Sequence, residues 1–180
     1  MSAFCLCMFT ACDSDDNNLL CYGTHTDIEG DVTAFGAVGD GKTDCSKAIN
    51  SAIASLPAEG GVLVIPEGDF VLDAPIVINK HNVTIKVLNP GMRSNIDVNG
   101  INDLLGPGGG SKLVARNAEA AIKVETGMKG VKIMNLMVSG GTEARNIGIH
   151  FVGATDNGML SNIIGINLHT GVKIEQAKNM

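Results

Sequence analysis

Apolar positions along the chain follow two periods. Between residues 44 and 56, Ala48, Ile49, Ala52, Ile53 and Leu56 recur at helical spacing and mark one face of a short helix. Thr43 or Asp44 can accept a hydrogen bond from an orphan backbone N–H at its start, and Pro57 with the Gly60-Gly61 pair stops it. From residue 62 onward the period becomes that of strands. Residues 62–65 are a continuous apolar run broken by Pro66-Glu67-Gly68. Segments 70–72 and 76–78 resume it, and residues 83–88, VTIKVL, alternate with period 2. Further short strands are expected at 112–115, 121–124, 131–133, 136–138, 147–151, 162–166 and 172–174, separated by Gly, Asn, Thr or Asp.

Three of these segments are alike: AAIKVETG (120–127), NIGIHFVG (146–153) and TGVKIEQA (170–177). Aligning Ile122, Ile149 and Ile174 gives spacings of 27 and 25, and Ile133 to Ile163 gives a looser 30. A repeat in the twenties built of very short strands points to a solenoid. Each coil has too few inward side chains to bury them alone and must stack on its neighbours. A hairpin meander would show a regular series of two-residue turns, and Asn99-Gly100 and Asn157-Gly158 do not form one. No Leu/Asn ladder of the leucine-rich kind is present. Asn135, Asn162 and Asn167 suit corners whose side-chain amides bond to the next coil. Residues 89–111 are a polar, Gly-rich excursion. Its GPGGGS lacks the GK[ST] ending of a phosphate loop, so close backbone packing at a corner explains it better.

A solenoid has an end that exposes apolar side chains and unpaired strand edges, and something must cover them. The stretch FGAVGDGKTDCSKAI (35–49) fits that need. Its glycines turn the chain so that the helix can face the first coil. Residues 32–72 as a whole resemble the opening of the pectate-lyase-like superfamily of parallel β-helices, which includes polygalacturonase-like enzymes and phage tailspike depolymerases. The matching elements are Phe35-Gly36-Ala37, Gly39-Asp40-Gly41, Thr43-Asp44, the Ala/Ile helix, Gly60-Gly61 and Val64-Ile65-Pro66-Glu67-Gly68. The resemblance implies an all-β fold, a right-handed parallel β-helix with a short N-terminal capping α-helix, incomplete at its C-terminal end. The expected organisation is residues 1–12 as a signal segment, 13–31 as an acidic tether and 32–180 as the first part of the β-helix. Gly36, Gly39, Asp40, Gly41, Thr43, Asp44, Gly60, Gly61, Pro66 and Gly68 then serve the cap and its turns.

Composition supports this picture. The chain has 23 Gly, no Trp, one Tyr and five Phe among 180 residues, so its core must come from small and branched side chains. The net charge of −6 is uneven: residues 1–41 carry seven acids and no base, and the remainder sums to +1. A folded part so close to neutral argues against nucleic acid as a partner. FTAC, ending at Cys12 and followed by Asp13-Ser14-Asp15-Asp16, resembles the cleavage box of bacterial lipoproteins. The acidic run is similar to the surface-export signals of Bacteroides-type lipoproteins. That resemblance implies lipidation at Cys12, a membrane contact through the lipid anchor alone, and a place at the cell surface or outer membrane. Cys21 and Cys45 can either pair or stay free. Scattered His25, His81, His150 and His169 define no zinc site.

The superfamily resemblance implies polysaccharide as substrate or partner, Ca2+ if the chemistry is that of a lyase, and homo-oligomers among tailspike relatives. Family catalytic groups lie on middle coils, along outer strand faces. A glycosidase needs two facing carboxylates, and Asp97, Asp103, Glu119, Glu125, Glu143, Asp156 and Glu175 show no paired motif. A lyase needs a base and cations around the developing charge. Arg145, His150, His169 and Lys173 are the set available, with Arg145 and His150 as candidates to line a saccharide groove. Alternation of Ile147, Ile149 and Phe151 inward places His150 on the outer face, where an ordinary exposed histidine is the plainer reading. The alternative to an enzyme is a non-catalytic surface module that binds glycan or serves as structure.

Overall fold

Corners every few residues leave the chain only short extended runs, so apolar side chains form a core only if strands from successive rounds stack. The computed structural model, which describes residues 29–87, 110–140 and 146–178, shows such stacking. In chain order the elements are β1 (Glu29–Asp31), a 3-10 turn (Val32–Phe35), β2 (Asp40–Asp44), α1 (Ser46–Ser55), β3 (Gly61–Ile65), β4 (Gly68–Leu72) and β5 (Ile76–Ile78). They continue with β6 (Val83–Val87), β7 (Ser111–Ala115), β8 (Ala120–Val124), β9 (Lys132–Ser139), β10 (Ile147–Asp156), β11 (Met159–Ile166) and β12 (Thr170–Lys178). β5, β8, β10 and β12 form one sheet; the other eight form a second, ordered β1-β3-β6-β9-β7-β4-β2 with β11 on β9. Every strand pairing among the described residues is parallel, which excludes a hairpin meander here. The described residues are all-β with one α-helix, in a β-helix-like arrangement.

Register builds the core as columns. Ile76, Ile122, Ile149 and Val172 lie opposite one another, as do Ile78, Val124, Phe151 and Ile174. The first three of each column are fully buried, whereas Val172 and Ile174, at one end of the stack, are 40% and 43% exposed. The expected alignment of Ile174 with Ile149 is corrected by two residues, since Val172 takes that place and Ile174 faces Phe151. A shift of two keeps every side chain on its own face, so an apolar pattern cannot distinguish the registers.

The looser spacing of 30 is corrected too. Leu160 faces Ile133 and Ile163 faces Leu136, 27 residues apart in both cases. The cause is a bend. β9 pairs with β6 through residues 132–134 and with β7 through 137–139, and between them Asn135 adopts a left-handed backbone with φ 57°. That bend resets the in-out alternation, so Ile133 and Leu136 are both buried. β11 repeats it at Asn162 (φ 53°), whose Nδ2 donates to Oδ1 of Asn135 at 3.0 Å. Asn167 also has a left-handed backbone, φ 51°. Short amide side chains tolerate this conformation better than other non-glycine residues.

The first round is covered face by face. β1, which lies within the stretch expected as acidic tether, pairs with β3; β2 pairs with β4; α1 packs along β5. The helix buries Ile49, Ala52, Ile53 and, just past its end, Leu56. It starts at Ser46, two residues after the expected 44, with Cys45 at the N-cap making no side-chain cap bond. Asp44 instead accepts from Ser46 N at 3.0 Å and Ser46 Oγ at 2.6 Å. A polar row formed by Asp44, at the end of β2, with Ser46 and Asn50 of the helix satisfies backbone groups at and before β5. Asp44 Oδ1 accepts Asp73 N at 3.0 Å, Ser46 Oγ accepts Ala74 N at 2.9 Å, and Asn50 Oδ1 accepts Val77 N at 2.8 Å. At the far end Lys80 Nζ donates to the carbonyls of Ala54 and Leu56, a cation set against the negative end of the helix.

The polar turn before α1 is held by one carboxylate. Asp40 accepts from Lys42 N, Thr43 N and Thr43 Oγ1, each at 2.8 Å, and these bonds, led by the one from the Thr43 amide, lower its pKa to about 2. Pro66 stands between β3 and β4, where its carbonyl accepts the buried hydroxyl of Ser111. Cys45 is buried with a free thiol, its Sγ 3.2 Å from the Val38 carbonyl and 3.3 Å from that of Thr43. Among the described residues no helix is long and apolar enough to cross a membrane.

Candidate functional site

Side chains alternate across a strand, so burying Ile122, Val124, Ile149 and Phe151 forces their neighbours outward. On the outer face of the four-stranded sheet, Val77, Lys123, His150 and Lys173 come into one register column. Two residues further along each chain segment sit Glu125, just past the end of β8, and Glu175 on β12. The lysines pair with these acids: Lys123 with Glu125 at 3.2 Å and Lys173 with Glu175 at 3.0 Å. His150 Nε2 lies 3.0 Å from Oε1 of Glu175, and Oε2 accepts the Gly153 N–H at 3.3 Å. The hydrogen bond from Lys173 first, and that from His150 next, hold the Glu175 carboxyl below the usual carboxylate range.

An open groove of about 510 Å3 runs over this column, lined by Glu119, Lys123, Ile147, His150, His169 and Lys173. His169 reaches it because a buried asparagine ties its turn to the start of β10. The carbonyl of Asn146 accepts His169 N at 3.0 Å and Thr170 N at 3.3 Å, while its Nδ2 donates to Ala115 O at 2.9 Å.

His150, His169 and Lys173 of the expected set therefore share one groove. Arg145, together with Asp97, Asp103, Glu143 and the lipidation candidate Cys12, lies outside the described residues. The residues expected to serve the cap and its turns, from Gly36 to Gly68, do not line this groove. Lys123 was absent from the sequence-derived set. Its signal is there, in the K-x-E shared by AAIKVETG and TGVKIEQA, which puts Lys123 with Glu125 and Lys173 with Glu175. Stacked repeats turn such a shared pair into a charged column.

The arrangement suits an anionic ligand. Two ammonium groups and two imidazoles border the groove; Glu125 and Glu175 are bonded to the lysines, and Glu119 is the one acid in the lining. A base flanked by cations is the equipment for removing a proton alpha to a carboxylate. Of the described acids near the column, Glu125 and Glu175 are engaged with lysines. No three His, Cys, Asp or Glu side chains converge to hold a metal ion among the described residues.

A family model described as rhamnogalacturonase A/epimerase, pectate lyase-like, matches residues 31–179. No protein of curated function matches the chain. Among solved structures, DFA-IIIase from Arthrobacter chlorophenolicus A6 aligns with TM-score 0.63 and 22% identity over 83% of this chain and 44% of its own. The same protein in complex with GF2 gives 0.61, 21%, 83% and 47%. ORF18 of Geobacillus virus E2 gives 0.53 and 21% over 73% of this chain and 25% of its own. At such identities these structures speak to fold. The chain spans less than half the length of each.

Proposed function

Because the chain belongs to the rhamnogalacturonase A/epimerase family of pectate-lyase-like proteins, we propose that it is the opening part of a right-handed parallel β-helix solenoid that acts on polysaccharide. The groove across β8, β10 and β12 is the saccharide site in this reading. The observation that carries it is the single column of Lys123, His150 and Lys173, with His169 at its side. The chemistry it supports best is β-elimination at a uronate. His150 takes the proton alpha to the carboxylate, Lys123 and Lys173 stabilise the charge that develops there, and the bond to the neighbouring sugar oxygen breaks as the carbon–carbon double bond forms. Arg145, which immediately precedes Asn146, is a further candidate cation for the same carboxylate. GF2 and DFA-III are bound by the DFA-IIIase structures, which supports saccharide as the ligand class.

The test is incubation with polyuronates and with neutral glycans, following the ultraviolet absorbance of the unsaturated product. Product from the polyuronate, lost in a His150→Ala, Arg145→Ala double variant, supports the reading. Saturable binding without product points to the non-catalytic surface module. Neither binding nor product overturns both. Export and anchoring through a lipid on Cys12 belong to the same proposal, with an outer-membrane or surface location. Metabolic labelling with a fatty acid that disappears in Cys12→Ser checks them. Association of the β-helix with further copies is an open part of the proposal, read by light scattering.

A further inference from the structure

The groove histidine has a partner that decides its chemistry. We propose that Glu175 is a positioning residue that holds neutral His150 in the Nε2–H form, leaving Nδ1 as its only basic atom. This deepens the reading of the groove as a saccharide site and rests on it for its use, though not for its test.

An ionised carboxylate only accepts hydrogen bonds, whereas each ring nitrogen of neutral imidazole either donates or accepts. Oε1 of Glu175 stands 3.0 Å from His150 Nε2, so the proton of the neutral ring must sit on that nitrogen. Glu175 is itself pinned by two other donors. Lys173 Nζ shares Oε1 at 3.0 Å, and the Gly153 N–H reaches Oε2 at 3.3 Å. Gly153 is available because β10 shifts register between Phe151 and Ala154, and Gly153 takes a left-handed backbone with φ 66°. The irregularity in β10 thus helps to aim the carboxylate, and the carboxylate aims the ring.

The surroundings support the assignment. Around His150 stand Lys123 on β8 with Glu125 just past it, Lys173 with Glu175 on β12, and Glu119 and His169 in the groove lining. The lysines are donors only and cannot accept from the ring. Glu125 is engaged with Lys123 at 3.2 Å. When Nδ1 takes a proton, the resulting imidazolium keeps its charge beside Glu175. The electron pair of the broken carbon–oxygen bond leaves with the sugar oxygen. The proton passes to water and water protonates that oxygen, so no co-reactant is consumed.

The experiment is ring nitrogen NMR on histidine-labelled protein at about pH 9, where imidazole is neutral. His150 signals are assigned against His150→Gln. The wild type is expected to carry its proton on Nε2 alone. Glu175→Ala should shift the ring toward a mixture of both tautomers, while Lys173→Gln, which keeps the carboxylate, should leave it as in the wild type. With a uronate substrate, Glu175→Ala should lower kcat, about 10- to 100-fold by analogy with the carboxylate partners that orient metal-bound histidines, with little change in KM. A proton on Nδ1 in the wild type, or identical ring spectra in wild type and Glu175→Ala, would overturn the proposal. The expected tautomers without any product would overturn the lyase reading alone.

Discussion

Gly39 and Gly68 meet backbone against backbone: a Cβ on Gly39 would lie 2.9 Å from the Cα of Gly68, and one on Gly68 would lie 2.8 Å from the Cα of Gly39. Phe70 closes the same contact, 3.1 Å from the Gly39 position. This contact lets β2 run beside β4, so the turn glycines are a packing requirement of the cap. Gly68 also has φ +143°. Gly68→Ala is therefore expected to destabilise the fold by about 2–4 kcal/mol, combining backbone strain with overpacking against main chain that cannot yield. Gly36, with φ +93° and open space where a Cβ would go, should cost only the strain, about 1–2 kcal/mol for Gly36→Ala. Urea denaturation of both variants distinguishes the two contributions. Equal losses would show that the close approach has no energetic role.

The capping helix carries a second prediction. Asn50 uses both ends of its amide, accepting Val77 N at 2.8 Å and donating to Pro75 O at 3.0 Å. Asn50→Ala leaves the edge amide of β5 without that partner and should cost about 1–3 kcal/mol. Replacing exposed Ser51, also on the helix, should change stability by less than about 0.5 kcal/mol. Amide hydrogen exchange at Val77 gives a local readout. Unchanged protection there in Asn50→Ala would refute the edge-sealing role.

What could be read in advance divides along the same helix. Its apolar face, Ile49, Ala52, Ile53 and Leu56, follows from helical spacing and is buried. Its polar row could not be read that way, because Ser46 and Asn50 look like ordinary surface residues until the chain is known to pass beside them. The strands were legible from alternation, and the outward placement of His150 followed from burial of Ile149 and Phe151. Register was not legible where a two-residue slip preserves the pattern, as with Ile174, or where Asn135 bends the strand. For the groove, His150, His169 and Lys173 could be named as a set, but the meeting of His150 with Lys173 depends on positions 23 residues apart aligning. Glu175, the acid that organises them, gives no signal of its own beyond the repeated K-x-E.

Acid should weaken the cap before the core. Asp40 has its pKa lowered to about 2 by hydrogen bonds led by that of the Thr43 amide. For Asp44, burial pushes upward, but the Ser46 hydroxyl, the Asp73 and Ser46 amides and the Arg116 charge outweigh it, so its pKa too is lowered. A carboxylate with a depressed folded-state pKa contributes stability above its unfolded value. That contribution is lost as pH falls through the folded value. Stability should therefore decline from about pH 4 toward pH 2. Asp40→Asn and Asp44→Asn should each lower stability at neutral pH and flatten this decline. Denaturation midpoints across that window test the idea, and an unaltered acid slope in both variants would contradict it.

The last prediction concerns the charged column on the outer face. In the free protein Lys123 and Lys173 are bonded to Glu125 and Glu175, so an incoming carboxylate must share or displace those partners. The net gain per lysine is then that of an exposed ion pair, about 0.5–1 kcal/mol, rather than that of a buried one. Lys123→Ala with Lys173→Ala should weaken polyuronate binding about 5- to 30-fold at low salt, and by less as salt screens the contact. A neutral glycan of the same length should be unaffected by either change. Calorimetric titration at two salt concentrations separates the cases. Equal losses for charged and neutral chains would mean that the lysines shape the groove, and a salt-independent loss would mean that their charge is not what the ligand meets.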